Sequence, residues 1–270
     1  MTDQPDWVPP GVDTRRANVA RVYDYWLGGS HNFLADQDLA RSIATVQPDA
    51  RLFAQAGRAF LGRAVRFLAA AGIGQYLDIG SGIPTEQNVH EVAQGASPGA
   101  RVVYADIDPV AVAHSQAILA GNANAAIIQA DLREPEQILA NETTRRLIDF
   151  GQPAGLLLVA VLHFIPDSDD PWRIVATLRD ALAPGSYLAL GHATDEGTPA
   201  VAQAAQKVYN RSASTQINLR SRAEILRFFD GFDLVDPGLV HIPQWRPDAS
   251  DELPADPSRF WGLAGVGRKT

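Results

Sequence analysis

From Gln75 to Leu190 short, β-prone apolar runs alternate with stretches of helical periodicity, and this alternation restricts the fold more than any other feature of the chain. Consecutive strands joined through helices run parallel, and a parallel sheet needs helices over both faces. The predicted strands are Tyr76–Ile79, Arg101–Ala105, Ala126–Ala130, Leu156–Val161 and Tyr187–Leu190. Helix starts are signposted between them. Asp108-Pro109, Asp170-Pro171 and Thr198-Pro199 each set a capping oxygen before a proline whose missing N–H is not needed at the first helical position. Ser221-Arg222-Ala223-Glu224 reads as a capping box opening one more helix. Phe232–Val235 and Phe260–Val266 add two terminal strands, which makes an α/β fold on a seven-stranded sheet.

Ahead of this unit, Val19, Val22, Tyr23 and Trp26 recur at helical spacing, with Gly28-Gly29 as a stop. A second helix is predicted from Pro48 to Ala71, on a stripe of Leu52, Phe53, Ala56, Phe60, Ala64 and Leu68. Residues 13–72 therefore read as an N-terminal helical cap segment, 73–270 as one compact α/β domain, and 1–12 as a disordered or extended tail.

Composition narrows the partners. With 31 acidic against 23 basic residues the net charge is −8, which repels phosphate backbones, and no basic patch offsets it, so no nucleic-acid partner is expected. The absence of cysteine removes disulfides, thiol nucleophiles and thiolate metal sites. MTDQPDWVPPG has acid and proline where an export signal needs positive charge and an apolar run. The apolar run from Gly155 to Leu162 is far short of the roughly 20 residues of a membrane span. A soluble, cytoplasmic protein without a membrane partner is expected, and nothing in the sequence specifies an oligomeric state.

The first strand ends in Asp78-Ile79-Gly80-Ser81-Gly82-Ile83-Pro84-Thr85, a glycine turn in which the backbone can approach a ligand closely. Alone, a G-x-G-x-P turn serves equally as a tight connection with no ligand. Two acids add context: Asp106 closes the second strand, where it can accept from both hydroxyls of a ribose, and Asp131 closes the third, where it can accept from the exocyclic amine of adenine. Together they outline an adenosine pocket. Asp108 is better explained as the N-cap already described.

Through LDIGSGIPT, VVYADIDP, IIQADL, LLLVAVLHFIPD and APGSYLAL, in that order, the chain resembles the class I S-adenosylmethionine-dependent methyltransferases, and GFDLVDPGLVHIPQWRP followed by FWGLAGVGRK resembles the end of that Rossmann-like fold, whose last strand is antiparallel. RVYDYWLGGSHNFLADQDLA and the proline of the glycine turn make it similar to an actinobacterial family of methyltransferases with unassigned substrates. The resemblance implies S-adenosylmethionine as cofactor. It implies Gly80, Ser81 and Gly82 against the methionine part, Asp106 and Ile107 against ribose and adenine, Asp131 and Leu132 at the adenine edge, Ala160 beside the sulfonium, and Asp78 near the ammonium group.

The segment from Tyr23 to Phe33 stands outside the Rossmann pattern. A hinge-like Gly-Gly followed by Ser30-His31-Asn32-Phe33 suits a water-excluding lid, with Tyr23, Asn32 and Phe33 as the closing residues; Tyr23 equally suits the buried face of its helix. His163, just after the fourth strand, can act as a general base or position a loop. The remaining histidines lack metal-ligand spacing, so no metal is expected. Arg58, Arg63 and Arg66 on the second helix could face an anionic acceptor, although a solvated basic face is simpler. Trp172, Ile174, Val175, Leu178 and Leu182 are spaced as a core-facing stripe.

The expected function is in-line methyl transfer to a small or medium-sized acceptor. Two rivals stay open: a regulatory module that binds the cofactor without turnover, and a nicotinamide-dependent oxidoreductase, which would place a third glycine where Thr85 follows Pro84. Trp245 and Trp261 would permit a planar or apolar acceptor without requiring one.

Overall fold

Five strands buried along most of their length lie side by side in parallel: β1 (Gln75–Ile79), β2 (Arg101–Asp106), β3 (Ala125–Gln129), β4 (Gly155–Val159) and β5 (Tyr187–Ala193). The computed structural model that contains them describes residues 8–10, 12–84, 87–197, 199–213, 215–249, 251 and 254–270. Most of the expected tail, residues 1–7 and 11, and the predicted cap Thr198 lie outside this set, as does Thr85 at the end of the glycine turn.

The sheet runs β3-β2-β1-β4-β5-β8-β6, where β6 is Phe232–Leu234 and β8 is Gly262–Lys269. β8 is antiparallel to both β5 and β6, and a two-residue strand β7 (Val240–His241), not foreseen in the sequence, also pairs with it. β8 starts at Gly262 rather than Phe260, because Pro257–Phe260 form a short 3₁₀ turn capped by Asp256. Alternation along the strands divides the core. Tyr76, Val102 and Leu157 pack on one face, and Leu77, Val103, Leu156 and Leu158 on the other.

The second face is covered by α8 (Pro171–Ala181), α10 (Arg222–Leu226) and the short helices α6 (Pro135–Ala140) and α7 (Glu142–Leu147). Ile174, Val175, Leu178 and Leu182 are buried there as their spacing predicts, and Trp172 stacks on Phe228. Asp108 caps α5 (Pro109–Ile118), Asp170 caps α8, and the Ser221 capping box opens α10.

Over the first face lie α4 (Val89–Ala96), α9 (Pro199–Ser212) and three N-terminal helices: α1 (Val19–Leu27), α2 (Leu34–Val46) and α3 (Ala50–Ala70). The buried stripe of α3 is Phe53, Ala54, Gly57, Phe60, Leu61, Ala64, Val65 and Leu68; Leu52, predicted within it, is exposed. α2 was not predicted as a separate helix. Its N-cap is Phe33, which has no side-chain acceptor, and the capping oxygen comes instead from Asp36, which accepts from the Phe33 N–H at 2.8 Å. Among the described residues, no helix is long and apolar enough to cross a membrane.

Buried charge fixes the turn between α1 and α2. Asp36 is fully buried, accepts from the Asn18 N–H at 2.8 Å and lies 3.3 Å from the equally buried Arg21. Asp24 accepts from the His31 N–H at 2.9 Å and the Asn32 side chain at 2.8 Å. A Cβ on Gly29 would stand 2.0 Å from that Asp24 carboxylate, so the second glycine of the pair is required by close approach. Removing one partner of a buried ion pair leaves the other charge uncompensated. Asp36→Ala is therefore expected to lower unfolding free energy by about 3–5 kcal/mol in urea titrations, and Arg21→Met combined with Asp36→Leu by clearly less.

Candidate functional site

The chain leaves β1 toward β2 on one side and resumes at β4 on the other, so a crevice opens at the carboxyl ends of these strands. The glycine turn occupies it. Gly80 has φ 73° and its N–H donates to the Ala105 carbonyl at 2.7 Å; a Cβ there would lie 2.3 Å from the Val161 side chain. Gly82, at φ 67°, has open space where a side chain would stand. The Gly82 N–H donates to Asp106 Oδ2 at 2.7 Å, and Asp108 N–H to Asp106 Oδ1 at 2.9 Å. One carboxylate thus latches the β1 turn to the end of β2. Each oxygen keeps further acceptor capacity for a hydroxyl.

A cavity of about 490 Å³ lies over this latch, within the size range of small-molecule sites. Of the residues predicted for the cofactor, Asp78, Gly80, Ser81, Gly82, Asp106, Ile107, Asp131, Leu132 and Ala160 all line it. Ile107 is 55% exposed, an uncovered apolar surface at this edge, and Ala160 adopts φ 61°. Tyr23 lines the cavity too, its hydroxyl donating to the Ala54 carbonyl at 2.8 Å, which ties α1 to α3. Burial raises the Tyr23 pKa, against the pull of Arg58.

Other expectations are corrected. Asn32 and Phe33 do not line the cavity: Asn32 bonds Asp24, the Gly29 carbonyl and Gln37, and Phe33 packs under the Arg21 guanidinium. His163 does not line it either. It borders a second, almost wholly apolar cavity of about 40 Å³, which shares Val19, Tyr23, Ala160 and Phe164 with the first. Burial, with His192 and Arg220 nearby, drives the His163 pKa well below its ordinary value, so its ring is neutral. Trp261 borders the same small cavity, whereas Trp245 is buried against Phe60 and Phe67.

Asp131 is gripped by Arg133, with Nη2 at 2.5 Å and Nε at 2.9 and 3.0 Å. Burial works against its charge, yet the Arg133 hydrogen bonds hold its pKa below the ordinary value. The solvated basic face expected on α3 does not form. Arg63 is buried and donates to the carbonyls of Trp245 at 2.9 Å and Ile242 at 3.1 Å, and Arg66 pairs with Asp248 at 2.5 Å. Arg58 lines the large cavity, and its Nε is buried with no partner among the described residues. The signal for Arg58 was present: Ala54, Leu61 and Val65 stand at i−4, i+3 and i+7 from it and are all buried. Phe164, Ile165, Pro166, Thr215 and Gln216 also line the cavity and were not singled out.

A Rossmann-like sheet with an antiparallel β8 and a cavity beyond the carboxyl ends of β1, β2 and β3 defines a methyltransferase fold. The chain belongs to the S-adenosyl methyltransferase family, whose sequence profile matches residues 5–270. S-adenosylmethionine is therefore its cofactor, which disposes of the nicotinamide alternative. A Thermobifida fusca protein inferred to be a methyltransferase is 44% identical, with a TM-score of 0.92 over 98% of this chain and 99% of that one. A DUF574 family protein from Streptomyces avermitilis is 37% identical, with a TM-score of 0.92 over 96% of this chain and 99% of that one. An O-methyltransferase family protein from Burkholderia thailandensis, 13% identical, shares the fold with a TM-score of 0.54 over 86% of this chain and 60% of its own. No curated protein matches the chain.

The acids of the crevice make stability depend on pH. Burial pushes Asp78 up to about 7 and Asp106 up to about 6, from an ordinary 3.8. The folded chain then holds more protons than the unfolded one between those values, so stability falls as pH rises through the window. Asp78→Asn removes the larger contribution. Without added cofactor, the variant is expected to gain on the wild type by about 1 kcal/mol or more between about pH 5 and pH 8. Thermal unfolding across that range checks this; a difference that stays constant with pH refutes it.

Proposed function

We propose that the protein transfers the methyl group of S-adenosylmethionine, in line, to an O, N or C nucleophile on a small or medium-sized acceptor. The observation behind this reading is a single cavity lined both by the donor turn 80–82 and by Tyr23 and Phe164, from outside that turn. The residues fit the donor: among the described residues Ser81 Oγ is buried without a partner and nothing fills the space at Gly82. Asp106 would accept from the ribose hydroxyls, Ile107 and Leu132 would pack on the adenine, and Asp131, braced by Arg133, would accept from its amine. Asp78 would face the ammonium and Ala160 the sulfonium.

When bound, the cofactor supplies a methyl carbon already activated by its sulfonium. The protein's task is then alignment and the exclusion of water, and positioning of this kind accounts for about 7–11 kcal/mol in well-oriented reactions. Val19, Leu61, Tyr23 and Phe164 give the cavity apolar walls for that purpose. The N-terminal helices act as a fixed cap, since the Tyr23 hydroxyl is tied to Ala54 and the α1–α2 turn is locked by buried carboxylates. His163 is a packing and positioning residue rather than a base, because it borders only the smaller cavity and burial drives its pKa well below the ordinary value, which makes it a poor proton acceptor. The net charge of −8 favours a small molecule over nucleic acid as acceptor.

Calorimetry with S-adenosylmethionine and S-adenosylhomocysteine is expected to give saturable binding, weakened about tenfold by Asp106→Asn. Release of S-adenosylhomocysteine across a panel of phenols, amines and carboxylates then reads turnover. Failure of the wild type to bind either cofactor form overturns the proposal; binding without turnover across the panel points to a regulatory module.

A further inference from the structure

Of the four arginines on α3, Arg51 is exposed to solvent, and two of the other three are consumed by the protein itself. Arg63 is bonded to the carbonyls of Trp245 and Ile242, and Arg66 to Asp248. Arg58 makes no hydrogen bond and no ion pair among the described residues, although it lines the large cavity and its Nε is shielded from solvent. A guanidinium keeps its charge, so one that lines a cavity with its Nε shielded and no anion paired to it calls for an anionic ligand. Asp78, at the end of β1, lines the same cavity and feels the Arg58 charge, yet the two form no ion pair. A separated cation and anion at one end of a cavity match a zwitterion better than they match any singly charged group.

We infer that Arg58 and Asp78 form a site for the free amino-acid end of the cofactor, the guanidinium taking the α-carboxylate and the Asp78 carboxylate the α-ammonium. The inference rests on the cofactor orientation proposed above and adds to it a residue from the N-terminal helices. Arg58 reaches the donor from α3, whereas the turn 80–82 and Asp106 reach it from the sheet, so two structural layers hold one ligand. A forked guanidinium suits a carboxylate through two parallel bonds, and a lysine would supply charge without the fork. The site selects an intact amino acid over an adenosine thioether that lacks it.

The test compares two ligands that share the adenosine and differ in that end: S-adenosylhomocysteine, with the amino acid, and 5′-methylthioadenosine, without it. Arg58→Met is expected to weaken S-adenosylhomocysteine about 30-fold or more in calorimetry, the cost of truncating one partner of a shielded charge pair, while 5′-methylthioadenosine changes by less than about threefold. Arg66→Met, two turns along the helix, leaves both affinities unchanged. Circular dichroism establishes that each variant is folded, and if Arg58→Met is not, Arg58→Lys is read by the same ratio. Equal weakening of both ligands, or no weakening of either, overturns the inference. Failure of the wild-type protein to bind either ligand overturns the cofactor orientation instead, and the role of Arg58 with it.

Discussion

The parallel pairing of β1 with β2 on one side and β4 on the other is the constraint from which the rest of the site follows. The chain leaves this boundary toward β2 on one side and returns to β4 on the other, so a crevice opens between the connections at the carboxyl ends of the strands. What fills it must be loop, side chain and ligand. The β1 turn enters it because its left-handed glycines point the Gly80 N–H at the Ala105 carbonyl and the Gly82 N–H at Asp106, and these bonds fasten the turn before any ligand arrives. Preorganisation of this kind spares a ligand the cost of ordering a loop.

How much of this was legible depended on whether the determining chemistry is local. Asp108, Asp170 and Ser221 cap their helices with oxygens one to three residues away, so they could be read directly. The strands were legible through burial, and their ends moved by only one to three residues at most positions. α2 was missed because its cap comes from Asp36 inside the helix and its first residue is aromatic. Arg133 was missed because a loop pair at i, i+2 has no periodic signature, and Arg63, though singled out, could not be read as buried because its acceptors lie 179 and 182 residues away. His163 was adjacent to the right strand end, but the 3₁₀ turn Leu162–Phe164 aligns Phe164 with the large cavity and His163 only with the small one.

The N-terminal helices and the C-terminal segment are joined by the packing of Trp245 on Phe60 and Phe67 and by polar contacts rather than through strands. Arg63 holds the carbonyls of Ile242 and Trp245, Arg66 holds Asp248, and Arg259 holds Asp49 at the start of α3. Among the polar contacts those of buried Arg63 outweigh the surface pairs, which are screened and individually weak. α3 therefore couples the chain's two ends while presenting Arg58 and, through the Ala54 carbonyl, Tyr23 to the cavity.

Ala160 borders both cavities in a left-handed conformation that glycine would adopt without penalty. Its methyl group is kept at a conformational cost of about 1–2 kcal/mol, held by the Ala160 N–H bond to the Gly191 carbonyl. Most mutations that enlarge a binding site weaken the fold around it, and this limits how far selection can broaden a substrate range. At Ala160 the two effects oppose each other: exchange for glycine would relax the backbone, while loss of the methyl group would thin the boundary that both cavities share.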